Sequence, residues 1–131
     1  MNPNLQIELP PNRRKKIAIV DDHDLMRRGL TKIINSFPNY SVLFEAENGE
    51  DFIKKINNEN LPDIVLLDPI MPKMDGYSTA KWISINYPDI QIIALGMSPE
   101  TEKIKMKKSG AKIYLAKNET IEELKQALDK C

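Results

Sequence analysis

Cysteine, histidine and tryptophan occur once each in this chain of 131 residues, as Cys131, His23 and Trp82. A lone cysteine excludes an internal disulfide and fits a reducing compartment. No serine–histidine or cysteine–histidine arrangement is present to build a familiar nucleophile–base pair. Net charge is missing as well. Nineteen basic side chains balance nineteen acidic ones, so charge gives no reason to expect nucleic-acid or membrane binding. No apolar run approaches the roughly 18 residues that cross a bilayer, and the opening MNPNLQIELPPN has no signal-peptide core. Internal repeats and low-complexity tracts are also absent. These absences lead us to expect a cytoplasmic protein with no membrane partner.

Apolar residues make up 41% and charged residues 29% of the chain, ordinary values for one globular domain with a buried core. The first dozen residues carry Pro3, Pro10 and Pro11 and read as an irregular arm, placed at residues 1–15, with one domain over 16–131. The basic run RRKK, Arg13 to Lys16, reads as a solvated approach to a strand rather than a nucleic-acid patch.

From Ile17 two kinds of segment alternate. IAIV (17–20) is a short apolar run of the kind that forms a strand covered on both faces, and DIVLL (63–67), IQIIAL (90–95) and KIYLA (112–116) read as three further strands. SVLFEA (41–46) alternates like an edge strand. Helical spacing links Leu25, Met26, Gly29, Leu30, Ile33, Ile34 and Phe37, stopping before Pro38. Shorter helices follow through Phe52, Ile53 and Ile56, and through Ala80, Ile83 and Tyr87. A fourth runs from Pro99 to a glycine cap at Gly110, with Ile104 and Met106 as its apolar stripe. The last opens on a capping box, Thr120 to Glu123, with a stripe at Ile121, Leu124 and Leu128. Five strands alternating with five helices predict an α/β fold, a parallel sheet with helices on both faces.

Such sheets bind ligands at the carboxyl ends of their strands. Asp21 and Asp22 follow the first strand, with Asp24 just beyond. Asp68 follows the third, Gly96, Met97 and Ser98 the fourth, and Lys117 the fifth. Helix capping accounts for Asp24 but not for Lys117, nor for Asp68, which runs into a proline-broken loop. Carboxylates gathered this way stay ionised only if a cation compensates them. Hard oxygen donors, few and partly hydrated, suit Mg2+ shared with a phosphate, and Lys117 adds a point charge for the same anion. The nucleophile on hand is then a carboxylate, which attacks a phosphoryl group to form an acyl phosphate.

Three strings carry a resemblance: IVDDHDLMRRGL (19–30), LLDPIMPKMDG (66–76) and YLAK (114–117). Together they resemble the receiver domains of two-component response regulators, over about Lys16 to Lys130. The DDH…RRGL string is most similar to the branch that carries a C-terminal LuxR/NarL-type helix-turn-helix. The resemblance implies a doubly wound, flavodoxin-like sheet in the order 2-1-3-4-5. It also implies Asp68 as phosphoacceptor, with Asp22, Asp68 and the Ile70 carbonyl as magnesium ligands and Asp21 acting through water. Lys117 and the Met97 N–H would contact the phosphoryl group, Pro72 and Gly76 would shape the acceptor loop, and Tyr114 would be an aromatic switch. Implied partners are a histidine kinase, a second copy of the chain, and DNA through a C-terminal domain not present here. Turnover as an enzyme is not implied beyond self-phosphorylation and dephosphorylation.

Two positions depart from the family pattern. Gly96 stands where a Thr or Ser hydroxyl usually binds the phosphoryl oxygen and draws the loop and the aromatic ring inward. A hydrogen bond to a charged group contributes roughly 1.5–3 kcal/mol, against about 5.5 kcal/mol to drive a two-state element from nearly off to nearly on. The second reading is therefore a receiver-like interaction module, weakly switched or independent of phosphate. Ser98 lies two residues late as a substitute. Asn118 replaces a frequent proline and carries no functional meaning. DHDL (22–25) also resembles the Asp-x-Asp motif of haloacid-dehalogenase-type phosphohydrolases, but the chain has no room for their cap, and that pattern leaves Asp68 without a role. His23 reads as a solvent-facing loop residue that is neither ligand nor base. Trp82 reads as packing, and Lys103, Lys105, Lys107 and Lys108 as a solvated helix face.

Overall fold

The computed structural model of the protein describes residue 10 and residues 13–131; most of the expected arm lies outside the described residues. Five strands and five helices alternate: β1 (Lys15–Val20), α1 (Asp24–Ser36), β2 (Tyr40–Ala46), α2 (Gly49–Lys55), β3 (Ile64–Leu67), α3 (Gly76–Asn86), β4 (Gln91–Gly96), α4 (Pro99–Ser109), β5 (Ile113–Ala116) and α5 (Ile121–Asp129). The strands form one sheet in the order β2-β1-β3-β4-β5, every pairing parallel. The fold is the doubly wound one expected, with β2 and β5 at the edges.

The apolar runs of β1, β3 and β4 lack alternation because both of their faces are covered. Ala18, Val20, Val65, Leu67, Ile92 and Ala94 face one way, against Phe52, Ala80, Ile83 and Met106 of α2, α3 and α4. Their neighbours Ile17, Ile19, Ile64, Leu66, Ile93 and Leu95 face the other way, against Leu30 and Ile34 of α1 and Leu124 and Leu128 of α5. Successive strand residues point to opposite faces, so one short run feeds two cores. Trp82 packs edge-on to Phe52 at 6.4 Å between centroids and beside Tyr87 at 5.8 Å, the packing role expected of it.

Helix ends follow local chemistry. Asn48, Asp75 and Thr120 accept backbone N–H bonds from Asp51, Ser78 and Glu123 and cap α2, α3 and α5. Phe37 is extended ahead of Pro38, and Gly110 closes α4 at φ 125°. Several expectations change. His23, not Asp24, precedes α1 at the cap position, and Asp24 pairs with Arg27 at 2.7 Å instead. Leu25 (86% exposed), Ile104 (69%) and Ile121 (52%) lie off the buried stripes assigned to them. Each sits in or near a first turn or on a wide polar face, where periodicity alone does not decide which side meets the sheet. On α4 the buried positions are Glu102, Met106 and Ser109. Lys15 and Lys16 belong to β1 itself.

Candidate functional site

The parallel register sets the carboxyl ends of β1, β3 and β5 along one edge of the sheet. Val20 pairs with Leu67 and Leu67 with Ala94, so Asp21 and Asp68 emerge side by side, and Asp68 lies level with the end of β4. The Asp68 N–H donates to Val20 and the Asp21 N–H to Ala46, locking both residues to the ladder as it ends. Both side chains are buried, Asp68 at 5% exposure, while Asp22 is exposed at the rim.

Lys117 arrives from the far side, held by its N–H to the Gly96 carbonyl at 2.8 Å. Its Nζ lies 2.9 Å from Asp21 Oδ2 and 3.1 Å from Asp68 Oδ2. Burial works against the ammonium, but the two carboxylates outweigh it and hold its pKa above the ordinary lysine value. Burial dominates at Asp68 in the other direction. Despite the Ile70 N–H donating at 3.1 Å and Lys117 nearby, with Asp21 adding to the upward push, its carboxyl is pushed up to about 6.

One donor atom each from Asp21, Asp22, His23 and Asp68 lie within 4.8 Å of one another. Three carboxylates against one ammonium leave the cluster acidic, with hard oxygen donors half buried and half open to water. That donor set fits a hydrated divalent cation such as Mg2+. His23 is the exposed loop residue expected, and its ring folds back over the cluster. Its Nδ1 is 3.0 Å from Asp21 Oδ1, 3.4 Å from Asp22 and 3.5 Å from Lys117 Nζ, and its N–H donates to Asp21 at 2.8 Å. The backbone turn after Asp21 places the ring there, and spacing gave no signal of it.

The acceptor loop is tight. Gly76 donates to the Pro69 carbonyl at 2.9 Å, and a Cβ on Gly76 would stand 2.2 Å from the Asp68 carbonyl oxygen. Around the mouth, Leu25, Ile70 and Met97 expose apolar side chains, and an open depression of about 520 Å3 is lined by His23, Leu25, Met26, Met97, Lys117 and Asn118. Asp24, the second acid of the DHDL pattern, is held by Arg27, which also reaches the Asp21 carbonyl and Glu45.

At the switch position the structure differs from expectation. Gly96 is the last residue of β4 rather than the first beyond it, pairing with Ala116. Gly96 removes the hydroxyl that usually draws the ring of the expected aromatic switch inward, and the Tyr114 hydroxyl donates to Glu102 Oε1 at 2.7 Å, over Gly96. Ser98 is exposed and stands at the α4 cap position, its N–H donating to the same Oε1 at 3.2 Å.

The profile of the response regulator receiver domain matches residues 17–129. The chain is 32% identical over 114 residues to the response regulator GacA of Pseudomonas syringae pv. syringae, covering 86% of this chain and 53% of that protein. It is 31% identical over 114 residues to the transcriptional regulatory protein DegU of Brevibacillus brevis, covering 86% and 48%. The chain thus spans about half the length of these curated relatives. Among solved structures, a LuxR-family two-component response regulator from Aurantimonas sp. SI85-9A1 superposes with a TM-score of 0.82 at 28% identity, covering 89% of this chain and 84% of that one.

Proposed function

This chain belongs to the response regulator receiver domain family, within its LuxR/NarL-type branch, and from that premise we propose that Asp68 accepts a phosphoryl group from a histidine kinase. The observation that carries the reading is Lys117, drawn from β5 to bridge Asp21 and Asp68 at 2.9 and 3.1 Å. An Asp68 oxygen attacks phosphorus, the P–N bond to the donor imidazole breaks, and the electron pair leaves with the nitrogen. Lys117 is placed to follow the charge onto a phosphoryl oxygen, with the Met97 N–H offered from the loop after β4.

Asp22, Asp68 and the Ile70 carbonyl would hold Mg2+ directly and Asp21 through a water; when bound, the ion neutralises phosphoryl charge. The exposed apolar rim of Leu25, Met97 and Ile70 supports a protein donor that docks beside the acceptor. Control of transcription is the output that the name of the relative DegU supports, a protein of which this chain spans 48%. Incubation with a small phosphodonor such as phosphoramidate and Mg2+, followed by mass spectrometry, is expected to place one phosphoryl group on Asp68. Labelling that persists in Asp68→Asn, or that never occurs, overturns the reading.

A further inference from the structure

The place left by the missing hydroxyl at Gly96 is filled from another helix. A Cβ on Gly96 would stand 2.2 Å from Glu102 Oε1 and 2.5 Å from the Tyr114 hydroxyl. Glu102 is only 6% exposed. Its Oε1 accepts from the Tyr114 hydroxyl at 2.7 Å and from the Ser98 N–H at 3.2 Å. One carboxylate thus ties together the first turn of α4, the loop after β4 and the edge strand β5. Glycine at 96 is what makes the room.

We propose that Glu102 is the switch residue of this receiver: it clasps Tyr114 and Ser98 over Gly96 while Asp68 is unmodified, and a phosphoryl group on Asp68 opens the clasp by charge repulsion. The coupling rests on the reading of Asp68 as phosphoacceptor; the clasp does not. In the family pattern a hydroxyl at this position is drawn toward the phosphoryl group, and the ring follows. Here the ring is held before any phosphoryl group arrives, and the group that holds it is an anion.

Charge and register give the direction. Asp68 lies level with the end of β4, where the Glu102 carboxylate sits. Against the same site with Mg2+ already bound, phosphorylation replaces one negative charge at Asp68 by up to about two, so the increment is still about one negative charge. Lys117 is already shared between Asp21 and Asp68. Glu102 is held by a phenol and an amide, both neutral donors, so it is the acid least able to stay buried as charge accumulates. Besides Glu102, α4 buries only Met106 and Ser109, so losing this anchor frees its first turn.

The test reads amide hydrogen exchange on the whole chain, with fluorine NMR to detect beryllofluoride bound in the presence of Mg2+. Without the mimic, Glu102→Ala is expected to speed exchange at Ser98 and across the first turn of α4 about tenfold or more, as loss of a hydrogen bond to a charged group implies. Tyr114→Phe, which removes one of the two bonds and leaves Glu102 with the Ser98 N–H, is expected to move exchange in the same direction by less. Unchanged exchange in both overturns the clasp. With Mg2+ and beryllofluoride, the native chain is expected to exchange faster over residues 97–102 than with Mg2+ alone, whereas Glu102→Gln, which accepts the same bonds without charge, stays protected. Slower exchange in the native chain, or an equal response in Glu102→Gln, overturns the repulsion. A native chain that binds no beryllofluoride overturns the acceptor reading and the coupling with it, while the first arm still decides the clasp.

Discussion

Two glycines at the site illustrate how differently one missing Cβ is used. At Gly76 the obstacle is backbone, the Asp68 carbonyl oxygen at 2.2 Å and Pro69 Cα at 2.6 Å, neither of which has room to give. At Gly96 it is the far ends of two side chains. Gly96→Ala therefore costs the Glu102–Tyr114 bond, about 1–3 kcal/mol, and most of that cost disappears in a Glu102→Ala background. Gly76→Ala costs roughly 1–3 kcal/mol by overpacking, and no change at residue 102 relieves it. A double-mutant cycle by urea denaturation separates the two. Asp68 gives a second residue-scale expectation. Its folded pKa of about 6 lies above the ordinary aspartate value of 3.8, so between these pH values the folded state binds more protons than the unfolded state. Stability from this group is then present at low pH and lost as pH rises through 6. Asp68→Asn is expected to raise the thermal midpoint at pH 7 without divalent ions, with the gap to the native chain closing toward pH 4. A gap independent of pH would show that burial of the charge is not the cause.

At the scale of elements, the sequence was readable where one physical cause dominated. Long apolar runs between turn signals marked β1, β3 and β4, because strands covered on both faces admit no polar alternation. Pro38 and Gly110 marked helix ends through backbone restrictions that neighbours do not override. The helix faces were less legible. On α4 the apolar letters are Ile104 and Met106, yet only Met106 is buried, beside a carboxylate and a serine. Periodicity weighs hydrophobicity, and a buried glutamate paired to a tyrosine from another strand is invisible to it. Met106→Ala is accordingly expected to destabilise the fold by about 2–5 kcal/mol, whereas Ile104→Ala is expected to stay within about 0.5 kcal/mol. Urea midpoints decide it. Equal losses at the two positions would mean that Ile104 is covered in solution.

At the scale of the whole molecule, strand-end logic located Asp21, Asp22, Asp68 and Lys117 because the parallel sheet sends every carboxyl end to one edge. His23 and Glu102 escaped it, since their positions depend on a local turn and on a partner across the domain. The assembled cluster holds three acids against one ammonium, and this sets stability and ion binding in opposition. Asp22 is exposed and lies 3.4 Å from the His23 ring, whereas Asp21 and Asp68 each accept a backbone N–H, from His23 and Ile70. Its charge adds repulsion to the folded state until a cation arrives. Mg2+ is therefore expected to raise the thermal midpoint by mass action, with a gain of about 2.7 kcal/mol when its concentration reaches a hundred times the dissociation constant. Asp22→Asn is expected to abolish that gain and, in chelator, to leave the midpoint equal to or above that of the native chain. Calorimetric scans with and without Mg2+ supply both numbers. A variant that loses stability in chelator yet still responds to Mg2+ would mean that Asp22 serves the fold and that the ion is held by other groups.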